Sequence, residues 1–167
     1  HPAVITRGRS AGQANVLAAP AWLEKQGFEI HETDRGGDVT YHGPGQVVGY
    51  PVLDISDRKD VRRYVGALEE AMIQTCAGSG VEAGRHPEHR GAWVGPRKIG
   101  AVGVHISRWI TTHGFAINVS NEPLARFAGI VPCGIRDGGV TTIERVLGRA
   151  PAVAEGTIAT DAVISNQ

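Results

Sequence analysis

Cysteine is scarce in this chain. Only Cys76 and Cys133 occur in 167 residues, which rules out the disulfide framework that staples small secreted domains. The first residues also lack the charged, apolar and small-residue order of a signal peptide, so a cytoplasmic protein is expected. Net charge is missing as well: Lys plus Arg and Asp plus Glu both number 17. With no field of one sign, neither nucleic acid nor an anionic membrane is expected as a partner. No apolar run approaches the roughly 20 residues that a membrane helix needs. Lysine is the rare basic choice, with Lys25, Lys59 and Lys98 set against fourteen arginines. The chain begins at His1 without a methionine and enters an extended-looking segment at once, so a piece trimmed from a longer protein is expected. Its length suits one domain with a single sizeable core.

Glycine, by contrast, concentrates in Arg35 to Gln46, which reads RGGDVTYHGPGQ. Four glycines, a proline, an arginine, two hydroxyl side chains and a histidine share this stretch without any apolar period. Such density is tolerated where backbone takes positive φ or lies against a ligand, so the stretch is expected to floor a site. Around it, Ala3–Thr6 reads as a strand, Asn15–Lys25 as a short helix ended by Gly27, and Phe28–Glu32 as an edge strand. Val47–Ile55 is apolar and β-branched enough for a central strand, although Pro51 demands a bulge or an edge. Asp60–Ser79 carries the clearest helical stripe, Val61, Val65, Leu68, Met72 and Cys76, with Arg62, Arg63, Glu69 and Glu70 off it.

Beyond a polar loop at Gly84–Arg90 come a short strand, Ala92–Val94, and two longer ones. These, Ile99–Ile106 and Thr112–Val119, are spaced to form a hairpin through Ser107–Thr111. A turn at Arg108–Trp109 would set Ala101 opposite Ala116 and Gly103 opposite Gly114. Asn121–Phe127 reads as a helical turn, Ala128–Gly139 as a loop, Val140–Leu147 as the start of a helix and Ala152–Ser165 as a terminal one. The mixture predicts an α+β domain, a mixed β-sheet with packed helices.

Among residues that can carry chemistry, Cys76 continues the helix stripe and reads as a small buried hydrophobe. Cys133 stands in a loop between Pro132 and Gly134. A nucleophile with uncrowded backbone amides beside it and an incidental loop cysteine both fit that setting. Lys98 follows the Gly95-Pro96 turn at the start of a strand. It reads as a solvated charge or as a base over the sheet end, because lysine, unlike arginine, can surrender its proton. His86 and His89 have the spacing of a metal pair, but Pro87 breaks the helix that would align them, and a solvated loop is expected. His42 and His113 are better placed, as donors to a substrate carbonyl or as orienting groups. Arg58-Lys59 and Arg62-Arg63 can attract an acidic partner or simply coat a helix face. Small residues recur in the hairpin at Gly100, Ala101, Gly103, Gly114 and Ala116. Glycine weakens a strand unless something must come close, so an extended, unbranched ligand is expected over them.

Together, RGGDVTYHGPGQ, YPVLDI at Tyr50–Ile55, KIGAVGVHISRWITTHGFAINV at Lys98–Val119, and VPCGI with GVTTI within Val131–Ile143 closely resemble the lipoyl(octanoyl) transferases. Their fold is shared with lipoate ligases and biotin ligases. The similarity runs from the first residues to about Leu147, in four motifs in the same order. The resemblance implies a single octanoyltransferase catalytic domain over residues 1–167, without a first strand and helix that members usually carry. It implies transfer of an octanoyl group from octanoyl-acyl carrier protein to a lysine of lipoyl domains, the first step of protein lipoylation. The acceptors would be the E2 subunits of 2-oxoacid dehydrogenases and the glycine cleavage H protein.

Motif by motif, the resemblance makes Cys133 the acylated nucleophile and Lys98 its paired base. It assigns acyl binding to Arg35, Gly36, Gly37, Asp38, Val39, Thr40, Tyr41 and His42, to Ala101, Val102 and Gly103, and to Gly114, Phe115 and Ala116. No metal, nucleotide or redox cofactor is implied. A free thiol has a pKa of about 8.5, so a neighbouring ammonium enlarges a small thiolate fraction, and the two groups would titrate as a pair. Two alternatives are an ATP-dependent lipoate ligase, which needs no nucleophilic cysteine, and a non-catalytic acyl- or carrier-binding module. The pairing of Cys133 with Lys98 argues against both.

Overall fold

The longest helix starts where a carboxylate caps it. Asp60 has extended backbone, and its side chain accepts a hydrogen bond from the Arg63 N–H at 2.9 Å, satisfying an amide of the first turn. From there α1 runs over Val61–Gly78, and the chain turns away through Gly80 at φ 84°. In the computed structural model, which describes residues 1–11, 23, 25, 27–127, 139–149 and 151, this helix packs on a four-stranded sheet. Leu68, Met72 and Cys76 are buried as their spacing predicts, among Ile99, Phe115, Ile117 and Ile143. Val61 is not: it opens the helix and stays 42% exposed, and Tyr64 fills the core position of that turn. Glu69, expected off the stripe, is 2% exposed. Burial is tolerated because the Gly91 N–H, Arg85 and Arg90 all reach its carboxylate.

The sheet beneath α1 has the order β4-β7-β6-β5, with β4 at Gln46–Gly49, β5 at Ala92–Val94, β6 at Arg97–Ser107 and β7 at Ile110–Asn118. Its pairings are antiparallel. β6 and β7 form the expected hairpin. Arg108 and Trp109 take φ of 50° and 66°, the left-handed pair that suits a two-residue turn between twisted strands. The register sets Ala101 opposite Ala116 and Gly103 opposite Gly114, as expected. Alternation then sends Val102, Val104 and Ile106 toward the α1 core and leaves Ala101 and Gly103 on the other face. Val47–Ile55 departs from the expected central strand. β4 lies at the sheet edge and ends at Gly49, just before Pro51, which has no N–H to give to a ladder.

A second sheet, of order β2-β1-β3, combines β1 (Val4–Arg7), β2 (Glu29–Glu32) and β3 (Val39–His42). β2 is the edge strand expected of it, parallel to β1, while β3 is antiparallel to β1. Ile5, Leu23, Phe28, Val39 and Tyr41 make a core of their own here. Leu23 and Lys25 are helical and Gly27 turns at φ 77°; the rest of the expected Asn15–Lys25 helix lies outside the described residues. So do residues 128–138 of the expected loop and the expected terminal helix. The short helices α2 (Glu122–Phe127) and α3 (Ile143–Leu147) fall where helical turns were expected. Thr142 caps α3, its hydroxyl accepting from the Arg145 N–H at 3.0 Å. The class is α+β with mixed sheets and packed helices. Among the described residues no helix is long and apolar enough to cross a membrane.

The hairpin presses closely on β4. A Cβ on Gly114 would run into the Gly49 carbonyl oxygen and come within 2.7 Å of Pro51 Cδ. We expect Gly114→Ala to push β4 aside and cost about 1–3 kcal/mol of stability in urea unfolding. An unchanged midpoint would mean that β4 is not held this tightly.

Candidate functional site

On the face of β6 and β7 away from α1, the two sheets enclose a cleft of about 320 Å³. Its floor is the small-residue patch. Ala101 and Ala116 pair across the strands, and Gly103 and Gly114 follow one step along each. Gly103 has no room for a side chain: a Cβ there would lie 3.0 Å from the Gly36 carbonyl oxygen and 3.1 Å from Arg35 Cδ. Gly100 belongs elsewhere. Its missing Cβ would meet Met72 Sδ at 2.6 Å, so helix packing, not a ligand, requires that glycine.

The glycine-rich stretch supplies the opposite wall, but only its alternate residues reach the cleft. Thr40 and His42 line it, while Val39 and Tyr41 point back into the core of the second sheet, with the Tyr41 ring 5.8 Å from that of Phe28. Arg35 and Gly37 also line the cleft. Gly36 instead ties the sheets together, its N–H donating to the Val104 carbonyl at 2.8 Å. Asp38 accepts from the Val39 N–H at 2.8 Å. Arg35 is 7% exposed. Its guanidinium donates to the Thr6 hydroxyl and carbonyl and to the Gly36 carbonyl, at 2.7 to 3.1 Å, which fixes a buried positive charge at one side of the cleft. Val102 and Phe115 contribute to the lining from strands whose other contacts are with the α1 core.

His42 is oriented by Gln46. The Gln46 amide nitrogen donates to the Tyr41 carbonyl at 3.2 Å and to Asn118 Oδ1 at 2.8 Å, so its oxygen faces His42 Nδ1 at 3.3 Å. That arrangement places the imidazole proton on Nδ1 and leaves Nε2 as an acceptor. Burial, then the nearby Arg35 charge, lowers the His42 pKa from 6.5 to about 4, so the ring is neutral at pH 7. His113 braces rather than donates into the cleft. Its Nε2 meets Asp34 Oδ1 at 2.6 Å, and this bond holds the Asp34 carboxyl below its usual range.

Lys98 sits near the start of β6, directly opposite Trp93 of β5. It is 7% exposed, with Nζ 5.0 Å from the Trp93 ring centroid. Its backbone is clamped on the far side as well: the N–H donates to the Gly139 carbonyl at 3.2 Å, and the carbonyl accepts from Thr141 at 2.9 Å. Cys133 lies outside the described residues. Cys76 is enclosed in the α1 core, where burial pushes its thiol pKa up to about 12. His86 and His89 stack on each other at 4.9 Å and pack on Trp93, and among the described residues no cluster of three or more His, Cys, Asp or Glu side chains forms a metal site. Residues the sequence pattern does not reveal are Thr6, Val48 and Tyr50, which line the cleft, and the Gln46–Asn118 pair behind His42. Gln46 and Asn118 are joined only by the β4–β7 register, which no local signal announces.

A family model described as the lipoyl protein ligase A/B catalytic domain matches residues 1–160. The chain is 54% identical over 162 residues to an octanoyltransferase of Myxococcus xanthus, covering 93% of this chain and 45% of that protein. It is 57% identical over 136 residues to an octanoyltransferase of Solibacter usitatus, covering 81% and 61%. The chain therefore spans about half the length of these curated relatives. Among solved structures, lipoate-protein ligase A bound with ATP superposes with a TM-score of 0.74 at 17% identity, over 99% of this chain and 68% of that one. A biotin protein ligase from Aquifex aeolicus in complex with biotin and ATP follows with 0.62 at 13% identity, over 97% and 68%. At these identities the likeness is one of fold, and it is the fold expected.

The half-buried, neutral His42 has a consequence for acid stability. Its folded pKa lies below the unfolded value, so between 6.5 and about 4 the unfolded chain binds the extra proton and acidification favours unfolding. We expect stability to fall through that window by up to about 3 kcal/mol on this account. His42→Gln should flatten the slope in urea titrations at stepped pH; an unaltered slope would contradict the burial assigned to His42.

Proposed function

Since the chain belongs to the lipoyl protein ligase A/B catalytic domain family, we propose that it is the catalytic domain of an octanoyltransferase. In this reading it moves an octanoyl group from octanoyl-acyl carrier protein to a lysine of a lipoyl domain, through a thioester on Cys133. The observation that carries the proposal is the cleft. Three separate segments expected to bind an acyl chain, within Arg35–His42, Ala101–Gly103 and Gly114–Ala116, line a single space, and its floor of alanine and glycine is shaped for an unbranched chain. The names of the curated relatives point the same way.

Lys98 and Cys133 are linked by connectivity. Cys133 stands six positions before Gly139 in the sequence, and Gly139 is the residue whose carbonyl accepts from the Lys98 N–H. Lys98 in turn stands three positions before Ala101 on the strand that floors the cleft. The Cys133 thiolate attacks the donor thioester carbonyl; a carbon–sulfur bond to Cys133 forms as the bond to the carrier sulfur breaks, and the carrier leaves as a thiolate that takes its proton from the Lys98 ammonium, leaving the Lys98 amine neutral. The acceptor amine then attacks the acyl carbon. Lys98 Nζ takes the amine's proton as the amide bond forms, and Cys133 departs as thiolate. Because one thioester replaces another, the first step runs at little thermodynamic cost.

Weighing the intact full-length protein after incubation with octanoyl-carrier protein, without ATP, tests the proposal. We expect a covalent octanoyl adduct that Cys133→Ala abolishes and Cys76→Ala retains. An unmodified wild-type protein would sink the reading, and modification only with ATP would favour a ligase. Lys98→Arg keeps the charge but cannot readily release a proton. It should abolish transfer to the lipoyl domain, and near-normal activity would remove Lys98 from the role of base.

A further inference from the structure

We propose that Trp93, held in place through Glu69, is a positioning residue for Lys98; the functional half of this inference rests on Lys98 acting as base. Lys98 is drawn almost wholly out of water, yet among the described residues no carboxylate pairs with it. Its ammonium instead rests 5.0 Å over the Trp93 ring centroid, within the range where the ring quadrupole attracts a cation. That contact sets where the nitrogen lies, over the ring face. The β5–β6 register sets the two residues directly opposite each other, and Trp93 is only 4% exposed.

Trp93 is in turn wedged from the preceding loop. His86 packs tilted against the indole at 4.7 Å and His89 stacks on it at 5.9 Å. The turn carrying them closes on itself, with the Glu88 and His89 N–H groups both donating to His86 Nδ1. What anchors this loop is the buried Glu69 of α1. Its Oε1 accepts from the Gly91 N–H at 3.0 Å, and its Oε2 faces Arg85 Nε and Arg90 Nη1, each at 3.5 Å.

Gly91, at φ 119°, carries the constraint onward to the lysine. A Cβ there would strike the Gly100 carbonyl oxygen and lie 3.6 Å from Lys98 Cε. The Gly91 backbone therefore walls the lysine stem while Trp93 lies under its head. Stability alone gives no reason for a buried carboxylate at position 69, since an apolar side chain of similar volume is often neutral or better in such places. Aligning the loop, the indole and the lysine supplies one.

Three variants of the full-length protein test this: Trp93→Leu, Trp93→Phe and Glu69→Gln, each checked for folding by circular dichroism. The first readout needs no activity. Acetylation of Lys98 by acetic anhydride, followed by peptide mass spectrometry, should run several-fold faster in Trp93→Leu and Glu69→Gln than in wild type, and at nearly the wild-type rate in Trp93→Phe, which keeps the aromatic face. The second readout is single-turnover transfer from the octanoyl-enzyme to a lipoyl domain. Trp93→Leu should lower the maximal rate about tenfold, as misplacing a catalytic base does, with the half-saturating lipoyl-domain concentration within twofold of wild type. Trp93→Phe should restore most of that rate. Unchanged Lys98 labelling in Trp93→Leu overturns the proposal whatever the activity, as does a Trp93→Phe variant as impaired as Trp93→Leu. Faster Lys98 labelling in Trp93→Leu, together with a wild-type protein that transfers no octanoyl group, would leave Lys98 positioned as described and defeat the octanoyltransferase reading instead.

Discussion

The pairing of β6 with β7 is the constraint on which the rest of this molecule depends. A slip of one residue would exchange the faces of the strand that moved; in β6 it would turn Ala101 and Gly103 toward α1 and Val104 and Ile106 away from the core they now pack against. The hairpin register therefore decides at once what is core and what can receive a ligand. It is set by two left-handed residues at the turn, Arg108 and Trp109, and by the close approach of Gly114 to the Gly49 backbone. The helix, the edge strand β4 and the Gly36 link to the second sheet all attach to this hairpin.

Two kinds of surface result from that one arrangement. Toward α1 the sheet presents Ile99, Phe115 and Ile117, and burial of their apolar area stabilises the fold. Away from α1 it presents alanine and glycine, and the glycines let the Arg35–Gly36 segment and β4 come close beside the cleft. The polar side chains around the cleft are held individually: Arg35 by Thr6, His42 by Gln46, and His113 by Asp34. The buried charged residues Arg35, Glu69 and Lys98 are likewise supported in different ways. Arg35 is met by oxygens of β1 and of Gly36, Glu69 by arginines and an amide, and Lys98 by an aromatic face.

Much of this is legible in the chain read as a string. The α1 stripe, the hairpin and even its register follow from local spacing and turn chemistry, because neighbours in the sequence are neighbours in those elements. The small-residue patch of the hairpin was legible as glycine and alanine where strands do not otherwise favour them. Local pattern failed where a residue's environment comes from afar. Val61 was expected in the core and is exposed, because Tyr64 takes the core position of the first turn; Glu69 was expected off the stripe and is buried where Arg85, Arg90 and Gly91 come to it. Val39 and Tyr41 share a motif with Thr40 and His42 but not a face, since a strand alternates. Gly100 looks like part of the small-residue floor, and only Met72 on the helix shows otherwise.

The sequence by itself determined the class of the fold, the elements that build it, the family to which it belongs and the candidate reactive side chains. Those depend on periodicity, turn residues and motif order, all of which act over a few neighbouring positions. Tertiary structure decided which of the motif residues share a space, which tautomer His42 presents to the cleft, and what lies beneath Lys98. These depend on pairs such as Gln46 with Asn118, Thr6 with Arg35 and Glu69 with Gly91, far apart along the chain and joined only when sheet register and helix packing bring their polar groups within hydrogen-bonding distance.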